Sequence, residues 1–150
     1  MKLRLHHVNV VSDNMDELHD FYALLGLDVD PLPPMIEHLG HQNDRADAGE
    51  DDKWNRNVTF FNARGGEDVD LQIHATRRQA FLAARMGHTI NPLVTGHFAF
   101  RTDDIDAVRK HLTDNGIPFS DWGEWAVKNW DQIFFNDPAG NIIEVHQVRE

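Results

Sequence analysis

The sequence predicts an α+β fold in which two βαβββ modules form a curved, cleft-enclosing mixed sheet. Three observations predict it. Leu5-His6-His7-Val8-Asn9-Val10 and Thr95-Gly96-His97-Phe98-Ala99-Phe100 both read as strands, and each is followed by a polar stretch, an amphipathic run and a glycine. His7 precedes Gly26 by nineteen positions, as His97 precedes Gly116, and Asp13 and Asp16 recur as Asp103 and Asp106. Further strand-like runs then close each copy. The expected organisation is a first module over 1–76, a helical linker over 77–94 and a second module over 95–150, together one compact domain.

Each element follows from local chemistry. Leu5–Val10 is apolar and β-rich, as a buried strand requires. Ser12 or Asp13 can cap the next helix, with Asp16 and Glu17 favourable in its first turn. Met15, Leu18, Phe21, Tyr22 and Leu25 recur at three- and four-residue steps and predict one core-facing stripe. Gly26 suits the residue after the helix end. Leu27–Asp30 alternates as a strand until Pro31, Pro33 and Pro34 interrupt it. Met35–Asn57 is rich in acidic residues, contains His38 and His41, and predicts a surface loop or lid without counterpart in the second copy. Val58–Ala63 and Val69–Ala75 predict strands joined by a turn at Gly65-Gly66, and Arg77–Met86 predicts a helical connector. In the second copy Thr102 or Asp103 caps a helix bearing Ile105, Val108 and Leu112. Strands follow near Pro118–Asp121, Ile133–Asn136 and Asn141–Val148, and Asp137-Pro138-Ala139-Gly140 matches a type I turn.

Composition bounds the function. A chain of 150 residues is long enough to bury a sizeable core. It has no cysteine, so a bound metal must be held by nitrogen and oxygen ligands. A formal net charge of -11 argues against a nucleic-acid or anionic-membrane surface, although Arg77, Arg78 and Arg85 make a local basic spot. No window approaches a membrane span and Met1-Lys2-Leu3-Arg4 runs directly into a strand, so a cytoplasmic location is expected.

Aligning the last strands of the two copies sets Gln72 against Glu144 and His74 against His146. Side chains alternate along a strand, so Gln72 and His74 share a face, as do Glu144 and His146. With His7 and His97 turned to the same concavity, His7, Gln72, His97 and Glu144 would converge. Two imidazoles, a carboxylate and an amide oxygen suit one divalent Mn, Fe, Co, Ni or Zn ion. A lone strand histidine is more commonly a hydrogen-bonded core residue, but a carboxylate facing two imidazoles needs a partner or a metal. His74 and His146 are candidate general bases. Trp122, Trp125 and Phe134, with Trp130, are candidates for an apolar substrate wall. Local hydrogen bonding and ordinary packing are the competing readings of these residues.

The motifs Leu5-His6-His7-Val8, Phe21-Tyr22-Ala23-Leu24-Leu25-Gly26-Leu27, Gly96-His97-Phe98-Ala99-Phe100 and Asn136-Asp137-Pro138-Ala139-Gly140-Asn141-Ile142-Ile143-Glu144 resemble the vicinal oxygen chelate superfamily of glyoxalases, bleomycin resistance proteins and extradiol dioxygenases. The resemblance covers nearly the whole chain outside 35–57. It implies a glyoxalase-like fold, a divalent metal at His7, Gln72, His97 and Glu144, and a small oxygenated substrate chelated through two oxygens. It also implies a homodimer, while the acidic balance speaks for no nucleic-acid or membrane partner.

The departures from that pattern matter for the reaction. Extradiol dioxygenases carry a tyrosine and a histidine where this chain has Phe134 and Trp125. Glyoxalase I carries an arginine where this chain has Val11, and a glutamate where it has Gln72. The lysine- and serine-rich loop of fosfomycin-resistance transferases is not evident around Lys128–Asp131. Methylmalonyl-CoA epimerase shares the His, Gln, His, Glu set but not the Asp-Pro-Ala-Gly turn, and the acidic balance does not suit a CoA tail. The expectation is a metal-dependent lyase or isomerase using enolate-type chemistry. A non-haem Fe(II) ring-cleaving dioxygenase and a metal-free sequestering protein of the bleomycin-resistance kind are the alternatives.

Overall fold

The computed structural model describes residues 1–36, 57–63 and 71–150. In chain order its elements are β1 (Arg4–Ser12), α1 (Met15–Leu24), β2 (Val29–Asp30), β3 (Val58–Asn62), β4 (Gln72–Arg77), α2 (Leu82–Met86), β5 (His97–Arg101), α3 (Ile105–Asp114), β6 (Phe119–Glu124), β7 (Trp130–Asn136) and β8 (Ile142–Val148). The strands form one mixed sheet in the order β2-β3-β4-β1-β5-β8-β7-β6. Most of the expected lid over 35–57, including His38 and His41, lies outside the described residues, as does the turn at Gly65-Gly66.

The repeat is expressed as a pseudo-twofold at the centre of the sheet. β1 and β5 run antiparallel, with Val8 opposite Phe98, His7 opposite Ala99 and Asn9 opposite His97. Each central strand then takes a parallel neighbour, β4 beside β1 and β8 beside β5. Antiparallel strands continue outward on both sides. At the centre an irregularity breaks the symmetry: the β1–β5 register shifts between Leu5 and His7, a bulge at His6. A bulge lets two consecutive side chains turn to one side of a sheet. His6 and His7 are accordingly both buried, whereas Leu5 and Val8 on either side are exposed.

Helices α1 and α3 cover the opposite face. Ile105, Val108 and Leu112 of α3 pack on Ile133 and Val145, and Met15 of α1 packs on Phe61 and Ala75 with Leu18 and Tyr22 alongside. The buried stripe of α1 is narrower than its apolar period suggested: Phe21 and Leu25 are 54% and 61% exposed. Phe21 is turned off the line through Met15, Leu18 and Tyr22, and Leu25, which continues that line, is the C-cap residue past the end of the helix. Both helix caps sit later than expected, at Asn14 and Asp104, whose side chains accept from Glu17 N and Ala107 N. Ser12 and Thr102 instead accept from the backbone N–H of those caps, turning the chain before each helix. The connector is less helical than expected. Arg77 completes β4, donating its N–H to Asn57 O, and the helix is confined to Leu82–Met86.

Two strap segments close the concave side. Met35 bridges to Val127, flanked by hydrogen bonds from Ile36 N to Ala126 O (2.9 Å) and Lys128 N to Pro34 O (2.8 Å). Leu32 and Met35 pack there against Val58, Phe60, Val127 and Trp130, so apolar contact joins the two halves across the cleft. Among the described residues no helix is long and apolar enough to cross a membrane.

Candidate metal centre

The concave faces of β1, β4, β5 and β8 carry five buried histidines around one buried carboxylate. His6, His7, His74, His97, His146 and Glu144 are all at most 8% exposed. Such a carboxylate is costly unless its oxygens are engaged. Glu144 Oε2 lies 3.3 Å from His7 Nε2 and 3.0 Å from His97 Nε2. Glu144 Oε1 accepts from Gln132 Nε2 at 3.1 Å. His146 Nδ1 is 3.0 Å from that same oxygen but too far out of line to make a hydrogen bond.

The outer nitrogens decide what faces the carboxylate. His97 Nδ1 lies 3.2 Å from the carbonyl of Pro92, an acceptor only, so this nitrogen carries the hydrogen. A neutral His97 therefore turns a bare Nε2 toward Glu144 Oε2, lone pair against lone pair, and only a cation between them makes that contact attractive. His7 Nδ1 lies 2.9 Å from His6 Nδ1, which can accept a hydrogen and leave His7 Nε2 bare as well. This is the arrangement that orients imidazole ligands, each holding its remote N–H on a partner. Burial pushes His7 down to about 4 despite the opposing pull of Glu144, so the ring is neutral at neutral pH. Burial alone would raise Glu144. The imidazoles gathered around it, His7 first, outweigh that and hold the carboxyl well below its ordinary range. Glu144 is thus ionised beside a neutral His7, and two imidazoles with a carboxylate are a donor set matched to a divalent cation.

These groups open on a cavity of about 90 Å³. Phe60, Leu93, Trp125, Val127, Trp130 and Phe134 supply its apolar wall, with His7, His74, His97 and Glu144 at the polar end.

The family model for the glyoxalase/bleomycin resistance protein/dioxygenase superfamily matches residues 6–135. The chain belongs to this superfamily. Among solved structures, methylmalonyl-CoA epimerase from Mycobacterium tuberculosis is similar with a TM-score of 0.59 at 16% identity, covering 97% of this chain and 88% of that chain. A superfamily member from Vibrio splendidus 12B01 gives 0.55 at 12% identity over 97% and 99% of the two chains. An extradiol ring-cleaving dioxygenase from B. fuscum gives 0.52 at 18% identity over 95% of this chain and 33% of that chain. At these identities the likeness is one of fold. No curated protein matches the sequence.

Within this superfamily member, His7, His97 and Glu144 meet, while Gln72 stands apart. Gln72 pairs with His7, whereas Glu144 pairs with Ala99. The residue in the place of Glu144 is therefore His74, opposite Asn9, two positions beyond the expected alignment. Gln72 lines a neighbouring cavity with His6, Asp30 and Arg101. Its Nε2 donates to Asp30 Oδ2 at 2.8 Å, and its Oε1 is 2.9 Å from His74 Nε2. His74 is sandwiched between Phe60 and His7, with ring centroids 3.6 Å away on both sides and planes inclined by 11° and 16°. Stacked rings lie in near-parallel planes, so an ion in the plane of His7 lies out of the plane of His74, although nitrogens of His6, His7 and His74 lie within 4.8 Å of one another. Burial, reinforced by the neighbouring His7, holds His74 well below its usual range.

The other expected residues divide. Trp125 and Phe134 line the main cavity, whereas Trp122 packs behind them with Leu82, Ala83 and Leu93. His146 is fully buried, stacks on Trp130 at 4.4 Å, and accepts from Arg101 Nε at 3.1 Å. With Nε2 so engaged and Nδ1 facing Glu144, neither of its nitrogens is turned to the cavity. Sequence reasoning passed over His6 and Gln132, the partners of His7 and Glu144. The doubled histidine was a visible signal, and Gln132 lies two residues from Phe134, on the same strand face.

Proposed function

We propose that this protein is a divalent-metal-dependent enzyme acting on a small oxygenated organic molecule by non-redox, enolate-type lyase or isomerase chemistry. His7, His97 and Glu144 are the proposed ligands, for Mn, Fe, Co, Ni or Zn. One observation carries the reading: two imidazole nitrogens, each able to be bare, converge within 3.3 Å of a single buried carboxylate oxygen. A divalent ion there supplies Lewis-acid stabilisation of an oxyanion on a chelating substrate.

The surrounding residues have separable tasks. Pro92 and His6 hold the remote nitrogens of His97 and His7, and Gln132 holds Glu144 through Oε1. Trp125 and Phe134 exclude water from the reacting end of the cavity. His74 stands beside His7 on the cavity wall and is the proposed proton acceptor, in place of the two apolar residues where dioxygenases of this superfamily carry their proton-handling pair.

Elemental analysis of protein purified without chelator, with His97→Ala as control, tests the metal. Metal-dependent solvent deuterium exchange at a carbon next to a carbonyl tests the chemistry. The second reading, a ring-cleaving dioxygenase, draws on the same two-histidine, one-carboxylate set, which leaves coordination positions open for non-haem iron. Oxygen uptake with a panel of catechols would favour it. Absence of any bindable divalent metal would overturn both and leave a sequestering protein.

A further inference from the structure

We propose that Asp30 and Gln72 are positioning residues that fix the tautomer of His74, leaving Nδ1 as its bare nitrogen. The argument runs by elimination along two hydrogen bonds. The Asp30 carboxylate can only accept, so the Gln72 atom 2.8 Å from its Oδ2 is the amide nitrogen. That orientation makes the other amide atom the carbonyl oxygen, again an acceptor only, and it lies 2.9 Å from His74 Nε2. His74 must therefore carry its hydrogen on Nε2. Of its two nitrogens, Nδ1 alone then has a lone pair for a hydrogen or a ligand.

Two further observations make this a device rather than a local accident. The stack between Phe60 and His7 removes the freedom of the His74 ring to tilt out of that hydrogen bond. The relay also crosses elements, from β2 through the start of β4 to its third residue, so it forms only when the outer strands of the first half are docked. The superfamily resemblance would make Gln72 a metal ligand. Here both ends of its amide are engaged by protein, and the residue serves the neighbouring imidazole instead. The consequence for catalysis rests on the assignment of His74 as proton acceptor above, whereas the tautomer itself does not.

The test is long-range ¹H–¹⁵N correlation of histidine-labelled protein equilibrated with Zn²⁺, with His74 assigned from the spectrum of His74→Gln. The expected result is a single His74 tautomer, pyrrole-type at Nε2 and pyridine-type at Nδ1. Gln72→Leu removes the acceptor and is expected to give a mixture of the two tautomers. Asp30→Ala frees the amide to flip and is expected to give a smaller admixture. A wild-type His74 protonated at Nδ1, or an unchanged single tautomer in Gln72→Leu, would overturn the proposal. If Gln72→Leu does not fold, Asp30→Ala decides by the same criterion. Zinc stoichiometry measured on the same samples keeps the two readings apart: zinc-free protein with the expected tautomer sinks the metal enzyme and leaves the relay standing.

Discussion

The two halves of the sheet share a strand plan and a helix-capping arrangement, yet they treat the cleft differently. The second half supplies a charge and the groups that tolerate it: Glu144, with His97 at one oxygen and Gln132 at the other. The first half supplies stacked neutral rings, with His74 between Phe60 and His7 and its outer nitrogen on an amide–carboxylate pair. At the position of His6 the second half has Gly96, so the bulge and its extra imidazole belong to the first half alone. A duplicated fold can thus keep its backbone symmetry while dividing anion and base between its copies.

The sharpest way to break this comparison is at the charge. Glu144→Ala is expected to weaken zinc binding by about 1,000-fold or more, whereas Gln72→Ala changes it by less than about tenfold. Isothermal titration of both variants checks this, and equal losses would mean that the halves contribute alike.

Acid should strike the stacked rings next. His6 and His7 are pushed down to about 2 and about 4, chiefly by burial, and His74 is held well below its ordinary range for the same first reason. The unfolded chain then binds more protons than the native one between about pH 4 and 6.5, so stability falls as pH falls through that window. With about 1.4 kcal/mol per histidine by pH 5.5, the metal-free protein should lose about 4 kcal/mol relative to pH 7.5. Urea titrations at the two pH values measure it, and a flat profile would contradict neutral buried rings.

The remaining two effects are smaller. Gly96→Ala would place a Cβ 2.6 Å from the carbonyl oxygen of Asn9, a backbone atom that cannot swing away. A loss of about 2 kcal/mol in chemical denaturation is expected. The reciprocal change, His6→Gly, should leave the fold in place and weaken zinc binding about tenfold, because His7 loses the partner of its Nδ1. Unchanged affinity in His6→Gly would show that the bulge is a packing feature only.

Much of this was legible in the residues. The nineteen-residue interval announced the duplication, and with it the correspondence of His7 and His97 on the two adjacent central strands of one sheet. Gly26 and Gly116 marked the helix ends, and both take left-handed φ values of 85° and 66°. Asp137-Pro138-Ala139-Gly140 closes with Gly140 N donating to Asp137 O, as its chemistry indicated. The failures share a cause. Aligning Gln72 with Glu144 used local similarity, whereas the pairing partner along β1 sets register, and there His74 takes the equivalent place. Phe21 and Leu25 have the right helical period, but period reports neither how wide a strip of sheet the helix covers, which leaves Phe21 out, nor where the helix ends, which leaves Leu25 beyond it.

Sequence alone determined the repeat, the alternation of strands and helices and the residue types available to a metal, because these depend on neighbours a few positions apart. Only the tertiary structure decided which nitrogens are bare, that His6 joins His7 inside, and that Gln72 is spent on His74 and Asp30. Those outcomes depend on strand register, on a single bulge and on hydrogen bonds between residues as far as forty-two positions apart. Local periodicity carries no record of them.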